Sequence, residues 1–327
     1  MDTATHFAMG ISLGGLTLID PVIATDTELA RAAMAAAIIG SQIPDIDTVF
    51  KLQNNAKYIK NHRGATHSIP AILIWPFFIT FILGMIYRFN EYNHIIVVAL
   101  IAVVIHVGMD ILNGYGTQAL KPFSNKWLAI GAINTFDSFI FFLHISGIFI
   151  WLLGLSATFV FPLVYLINVL YIFYRLFKRQ QIESMIKSYF KDDEVESIVI
   201  SSTMKQKNWK VAVVTSSYFY VAEVLNGKLI FHDEFERIEL PDCNEISNAL
   251  TDENIKAFLS FSPVFRWEIK NRDSHTEVKF IDLRYRSKNH YPFVAVVLLD
   301  NEYNKLSSYT GWIFSEEKLR KKLEFSS

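Results

Sequence analysis

Thirty-seven consecutive residues, Ser138–Tyr174, contain no Asp, Glu, Lys or Arg, and a second run of 19, Ile69–Tyr87, is equally uncharged. Such runs constrain the fold more than any other feature, because about 20 apolar residues suffice to cross a bilayer. As one helix, Ser138–Tyr174 would be about 55 Å long, against a hydrocarbon core of ~30 Å. It is therefore predicted to break near Gly154–Ser156 into two spans, with Pro162 inside the second. His94–Leu112 is nearly as apolar but carries His106 and Asp110. Thr3–Ile19, uncharged apart from His6, and Leu29–Ile43, with only Arg31, are short and rich in Gly or Ala. Small residues suit close helix packing in a membrane. Read as two more spans, with a half-buried hairpin as the competing reading, they bring the expected count to about six. A chain that is 51% hydrophobic is too apolar for an ordinary soluble protein.

The loops orient these spans. Lys and Arg concentrate on the cytoplasmic side of membrane proteins. Arg175, Lys178 and Arg179 follow the last span directly. Counting back through the spans, the loops 44–68, 113–137 and 175–179 share that side and hold nine basic residues, against one in the loops 20–28 and 88–93. The expected protein is multi-pass with both termini in the cytoplasm. The first residues lack a basic segment and a small-residue cleavage site, so no cleaved secretory signal is expected. A net charge of −1 argues against nucleic-acid binding by bulk electrostatics. The single cysteine, Cys243, excludes an intrachain disulfide and a cysteine-based zinc site.

Beyond residue 175 the pattern changes. Leu176–Glu194 has the apolar spacing of an amphipathic connecting helix. Residues 195–327 then read as a small β-rich, α+β domain on the cytoplasmic side. Strands are predicted over 210–215, 218–225, 228–233, 264–270, 277–285 and 291–299, with Asn226-Gly227 as a hairpin turn. No phosphate-binding loop or nucleotide fingerprint is visible there, and His232, His275 and His290 read as surface residues.

The membrane half carries every metal-suited stretch. His106 and Asp110, four apart on a helix, share one face. Ionisable groups in a span are costly and functional by default. Asp45 and Asp47 bracket one residue, so an extended backbone points both carboxylates the same way. His62 and His67 fall in the loop NHRGATHS, in which Gly64 is expected to permit a tight turn. Each feature alone has a bland reading: a helix start for His6, a turn and helix cap for Asp45 and Asp47, a surface loop for His62 and His67. On the topology above, however, His6, Asp45, Asp47, His62, His67, His106, Asp110 and Asp137 all reach one membrane face. Imidazole with carboxylate suits zinc, with manganese or iron as alternatives. So many donors suit a two-metal centre. Arg63 and Lys60 nearby could hold an anionic phosphate.

His6, PDID, NHRGATHS, HVGMDILNGYGTQALKPFS and Asp137 resemble the YdjM/YfhP-type family of bacterial membrane-bound metal-dependent hydrolases, over about residues 1–175. The order of the motifs is also similar to the zinc-dependent phospholipase C group. The resemblance implies His6, Asp45, His62, His67, His106 and Asp110 as metal ligands. It implies Asp47 as a ligand or general base and Arg63 as a phosphate or transition-state clamp. Asn113 and Tyr115 would line the site, and Asp137 would orient a histidine from behind. The leading expectation is hydrolysis of a phospholipid or another membrane-associated ester in a bacterial inner membrane. A second is a metal- or lipid-responsive regulator that signals through the β-rich domain to a cytoplasmic protein partner or to gene expression. A third is metal transport.

Overall fold

The computed structural model describes residues 1–190 and 195–324. It divides into two compact units. The first comprises Met1–Asp47, Arg63–Gln181 and Ser201–Gln206; the second comprises Thr48–His62, Ile182–Ile200 and everything from Lys207. In chain order the helices are α1 (Thr3–Leu16), α2 (Pro21–Thr25), α3 (Thr27–Gly40), α4 (Asn55–Asn61), α5 (Ile69–Ile86), α6 (Tyr92–Leu112), α7 (Ser138–Leu152) and α8 (Ala157–Tyr189). Short 3-10 segments cover Ile43–Leu52 and Ala65–His67.

In the first unit, side chains that satisfy free backbone amides set the helix starts. Asp2 accepts from Thr5 N, Asp26 from Glu28 N and Leu29 N, and Ser68 from Ala71 N. The core follows from small residues. Leu29, Ala32, Ala33, Ala36 and Ala37 of α3 are fully buried, as are Ala99 and Ala102 of α6. A Cβ on Gly40 would stand 2.7 Å from the Ala102 Cβ, and one on Gly10 would stand 2.4 Å from Ser41 Oγ. The missing side chains let α1, α3 and α6 converge at the end that carries His6, Ser41 and His106.

Among the described residues, α5, α6 and α8 are long and apolar enough to cross a membrane, and α1 and α7 are apolar but shorter. The count of about six spans is therefore not established. At 14, 14 and 15 residues, α1, α3 and α7 extend only about 21–23 Å at 1.5 Å per residue. The Ala-rich face of α3 is packed within the protein rather than against lipid. By contrast α5 exposes Leu73, Ile74, Phe77, Phe78, Phe81 and Met85, a patch that water would not tolerate and hydrocarbon does. The break between α7 and α8 falls around Gly154, at φ +99°. Helix α8 then continues for 33 residues, so the connecting helix expected over 176–194 is the tail of α8, not a separate element. Its last expected residues, 191–194, lie outside the described residues. Arg175 is buried within the unit and donates to Ala132 O at 3.0 Å and Ser202 Oγ at 2.6 Å.

The second unit is β-rich. Strands β1 (Val195–Ser202), β2 (Asn208–Thr215), β3 (Tyr218–Leu225) and β4 (Lys228–Glu236) form one sheet in that order. Strands β5 (Phe265–Asn271), β6 (Thr276–Asp282), β7 (Phe293–Leu299) and β8 (Lys305–Trp312) form a second. Asn226 and Gly227 take φ of +50° and +80°, the two-residue turn whose twist matches a hairpin. Helices α9 (Asn244–Ala249), α10 (Glu253–Phe261) and α11 (Glu316–Glu324) complete the unit. Expectation missed one part: α4, which the sequence places between α3 and α5, belongs here. Its Asn55 side chain donates to Thr310 O of β8 at 3.1 Å.

Candidate metal centre

Four side chains from three parts of the first unit converge. His106 and Asp110 lie one turn apart on α6, Asp45 lies in the 3-10 segment after α3, and His67 in the one before α5. One donor atom from each lies within 4.8 Å of the others. His67 Nε2 is 3.3 Å from His106 Nε2, 3.5 Å from Asp45 Oδ1 and 3.4 Å from Asp110 Oδ2. His106 Nε2 is 3.7 Å from both Asp45 Oδ1 and Asp110 Oδ2. Zinc bound tetrahedrally at about 2.0–2.1 Å sets its donors about 3.4 Å apart. Five edges of such a polyhedron are thus already in place. Asp45 Oδ1 is buried and accepts no hydrogen bond among the described residues, while Asp110 Oδ2 faces the Arg63 guanidinium. An acceptor stranded like Asp45 Oδ1 is costly unless a cation faces it, so the donor set fits a divalent ion.

The surrounding layer fixes the ligand atoms. His106 Nδ1 lies 2.7 Å from the Ser41 carbonyl, to which it can only donate, and this leaves Nε2 as the acceptor facing the other donors. His67 Nδ1 lies 3.1 Å from Thr66 Oγ1, and Thr66 Oγ1 donates to Asp47 Oδ2 at 2.6 Å. Burial pushes His67 down to about 4, against the pull of Asp45, so its ring is neutral at physiological pH.

Asp47 stands behind the donors and accepts from Arg63 N at 2.8 Å as well as from Thr66. Arg63 carries the strained backbone of the loop, at φ +60°, while Gly64, expected to supply the turn, has φ −96°. A non-glycine residue persists in the left-handed region only where its surroundings over-determine it. Here the guanidinium does so: Nε is 3.1 Å from Asp110 Oδ2, Nη1 donates to Asn113 Oδ1 at 3.2 Å, and Nη2 donates to Met1 O at 3.2 Å. Asn113 donates in turn to Asp110 Oδ1 at 3.2 Å and accepts from Tyr115 N and Gly116 N. The Met1 amine also pairs with Asp110 Oδ1.

His6 joins from α1. Its ring stacks on His106 with centroids 3.8 Å apart, and its Nε2 is 3.4 Å from Asp110 Oδ1. It thus faces the other Asp110 oxygen from the one beside His67. His62 is placed with the second unit, at the end of α4, stacked on Tyr58 at 4.6 Å. Tyr115 contributes a backbone amide to Asn113. Asp137 caps α7 through Phe139 N and Ile140 N and accepts from the Tyr171 hydroxyl at 3.0 Å. Sequence reasoning missed Ser41 and Thr66. Thr66 sits inside the quoted loop, beside His67; the Ser41 carbonyl is a backbone group at a helix end and leaves no mark in side-chain chemistry.

The profile of the YdjM inner membrane protein matches residues 1–182, which hold every one of these groups. The YfhP middle domain matches residues 192–235, over the first sheet. The YfhP C-terminal alpha/beta plait domain matches residues 244–323, over the second sheet and its helices. The uncharacterized protein YfhP of Bacillus subtilis (strain 168) is 51% identical over 327 residues, the full length of both chains. No solved structure matches the chain.

Proposed function

Because the chain belongs to the YdjM inner membrane protein family, we propose that it is a metal-dependent hydrolase whose centre works at the cytoplasmic face of the bacterial membrane. One observation carries the reading: His67, His106, Asp45 and Asp110 set four donors at metal-ligand spacing toward the end of a helix long and apolar enough to cross a membrane. Such a position favours a phospholipid or another membrane-associated phosphoester as substrate. Zinc is the preferred ion on the donor set, with manganese or iron as alternatives. A bound divalent ion supplies Lewis acidity and a water that ionises near neutral pH. Around it, Ser41 and Thr66 hold the two imidazoles in the tautomers that present Nε2. Arg63 neutralises Asp110 and keeps a guanidinium beside the centre, where a phosphate oxygen would bring negative charge. Asp47 accepts from Thr66 and from the Arg63 amide and groups with Asp45 among the possible metal donors, so it serves as a ligand or general base. His6 Nε2, 3.4 Å from Asp110 Oδ1, remains a candidate ligand for a second ion.

The test is turnover. Purified full-length protein loaded with zinc or manganese and supplied with mixed bacterial phospholipids should release a cleaved headgroup or acyl product, read by lipid mass spectrometry. Absence of any product from metal-loaded protein defeats the lipid version of the proposal.

A second reading, regulation, is favoured by a different observation. Residues 48–62 leave the first unit directly after Asp47 and return directly before Arg63, and within that span they belong to the β-rich unit. The two flanking residues are joined by the Arg63 N to Asp47 bond at 2.8 Å. A cytoplasmic partner of the β-rich unit could therefore bias the centre through this excursion.

A further inference from the structure

At the end of α6 remote from the metal donors lies a cleft of about 560 Å³, within the range of about 300–1,000 Å³ typical of small-molecule sites. Leu13, Leu16, Ile23, Val97, Val98 and Ile101 line it. At one end it also meets Asn93, Asp20 and His94, with His94 Nδ1 2.7 Å from Asp20 Oδ2. His94 and His106 are twelve residues apart on one helix, so the polar end stands about 18 Å from the metal donors along the axis. Nothing in the centre described above uses this cleft.

Its chemistry is that of an amphiphile written in reverse: apolar walls along a spanning helix, ending in one cluster of polar groups. Val97 and Ile101 are half-exposed on a helix apolar enough to cross a membrane, so the opening is presented to hydrocarbon. The polar end carries one carboxylate, Asp20, and no Lys or Arg lines the cleft. Asp20 is held in place by two contacts, its Oδ1 accepting from Val22 N at 2.9 Å and its Oδ2 facing His94. A carboxylate offers about four lone-pair sites, which leaves room for a further donor. The Asn93 amide beside it can donate to a phosphate oxygen.

We propose that this cleft binds one membrane phospholipid with an ammonium-bearing, zwitterionic headgroup. An acyl chain lies along α6 between the apolar walls, the ammonium pairs with Asp20, and the phosphate meets Asn93. An anionic lipid would set its charge against Asp20, so the site selects against it. The inference does not depend on the metal centre being catalytic.

Full-length protein is reconstituted in bilayers of equal phosphatidylethanolamine and phosphatidylglycerol and re-extracted in mild detergent, and the lipid retained per protein is measured by mass spectrometry. Retention should favour phosphatidylethanolamine by up to about fivefold, the size expected of a partly exposed ion pair. Asp20→Asn keeps the helix cap, since Asn and Asp cap about equally well, and should abolish the preference. Ile101→Trp, at a half-exposed position, should fill the cleft and lower retention of both lipids. An unchanged thermal unfolding midpoint verifies that both variants are folded. Equal retention by the wild type, or a preference that survives Asp20→Asn, overturns the headgroup assignment. Retention unaffected by Ile101→Trp overturns the cleft as the chain site.

Discussion

Three histidines of each unit are treated in opposite ways. In the first, His6, His67 and His106 are at most 1% exposed and face carboxylates that are themselves buried. In the second, His232, His275 and His290 remain in reach of solvent. The second unit does bury charge, but as a closed pair: Arg284 spends its Nε and Nη2 on Asp282 and the Phe261 carbonyl. Buried ionic groups whose donors and acceptors are all matched belong to the fold. In the first unit Asp45 Oδ1 lacks a hydrogen-bond donor among the described residues, Asp110 Oδ2 faces the Arg63 guanidinium, and four donor atoms gather within 4.8 Å of one another. That gathering separates a site from a scaffold.

The strongest way to break that contrast is to remove a donor from each unit. Asp110→Ala should abolish bound metal in elemental analysis of the purified protein. It should also lower stability by about 3–5 kcal/mol, because it strands the buried Arg63 guanidinium. His67→Ala should likewise lose the ion, whereas His290→Ala should leave metal content unchanged. Equal metal content in all three proteins would erase the distinction.

Acid provides the next test. Folded His67 titrates near 4 because it is buried, against 6.5 in the unfolded chain. As pH falls through 6.5 the unfolded state takes up the proton first, so stability present above that value is lost progressively and levels off below 4. The loss should approach about 3 kcal/mol for the metal-free protein, measured by thermal unfolding after chelation. His67→Gln should flatten the profile between those values.

Thr66→Val removes the hydroxyl that links His67 Nδ1 to Asp47. Groups that orient a ligand from behind typically contribute 10- to 100-fold in affinity, so zinc affinity by competition with a chelating dye should fall by about that factor, with the fold intact. The smallest effect sharpens the comparison most. Asn55→Ala cuts a hydrogen bond within the second unit, costing about 1 kcal/mol there. If the excursion from Asp47 to Arg63 transmits, metal affinity in the first unit should also shift, by a few-fold. Affinity unchanged alongside faster hydrogen exchange in α4 would show that the two units act independently.

Much of this was legible in advance. The uncharged runs marked α5, α6 and the α7–α8 pair, because a membrane span is a property of local composition. The alternation of residues 210–299 marked six of the eight strands. The short Ala- and Gly-rich helices leave the span count unsettled, since the same residues that pack helices in lipid also build the interior of a bundle, as α3 does. Spacing exposed the His106–Asp110 turn. It could not show that His67 would join Asp45, His106 and Asp110 in one four-donor set.

The sequence by itself thus determined that there is a membrane-embedded half rich in imidazole and carboxylate, and a β-rich half without such a set. Hydropathy and residue chemistry are carried by the side chains themselves. Only the tertiary structure decided which donors meet: Asp45, His67, His106 and Asp110 as the four-donor set, Asp47 behind them, and Asp137 engaged with Tyr171. Those assignments rest on approaches of 3–4 Å between segments distant in sequence, and such approaches are set by how closely α1, α3 and α6 pack, through Gly10, Gly40 and the alanines between them.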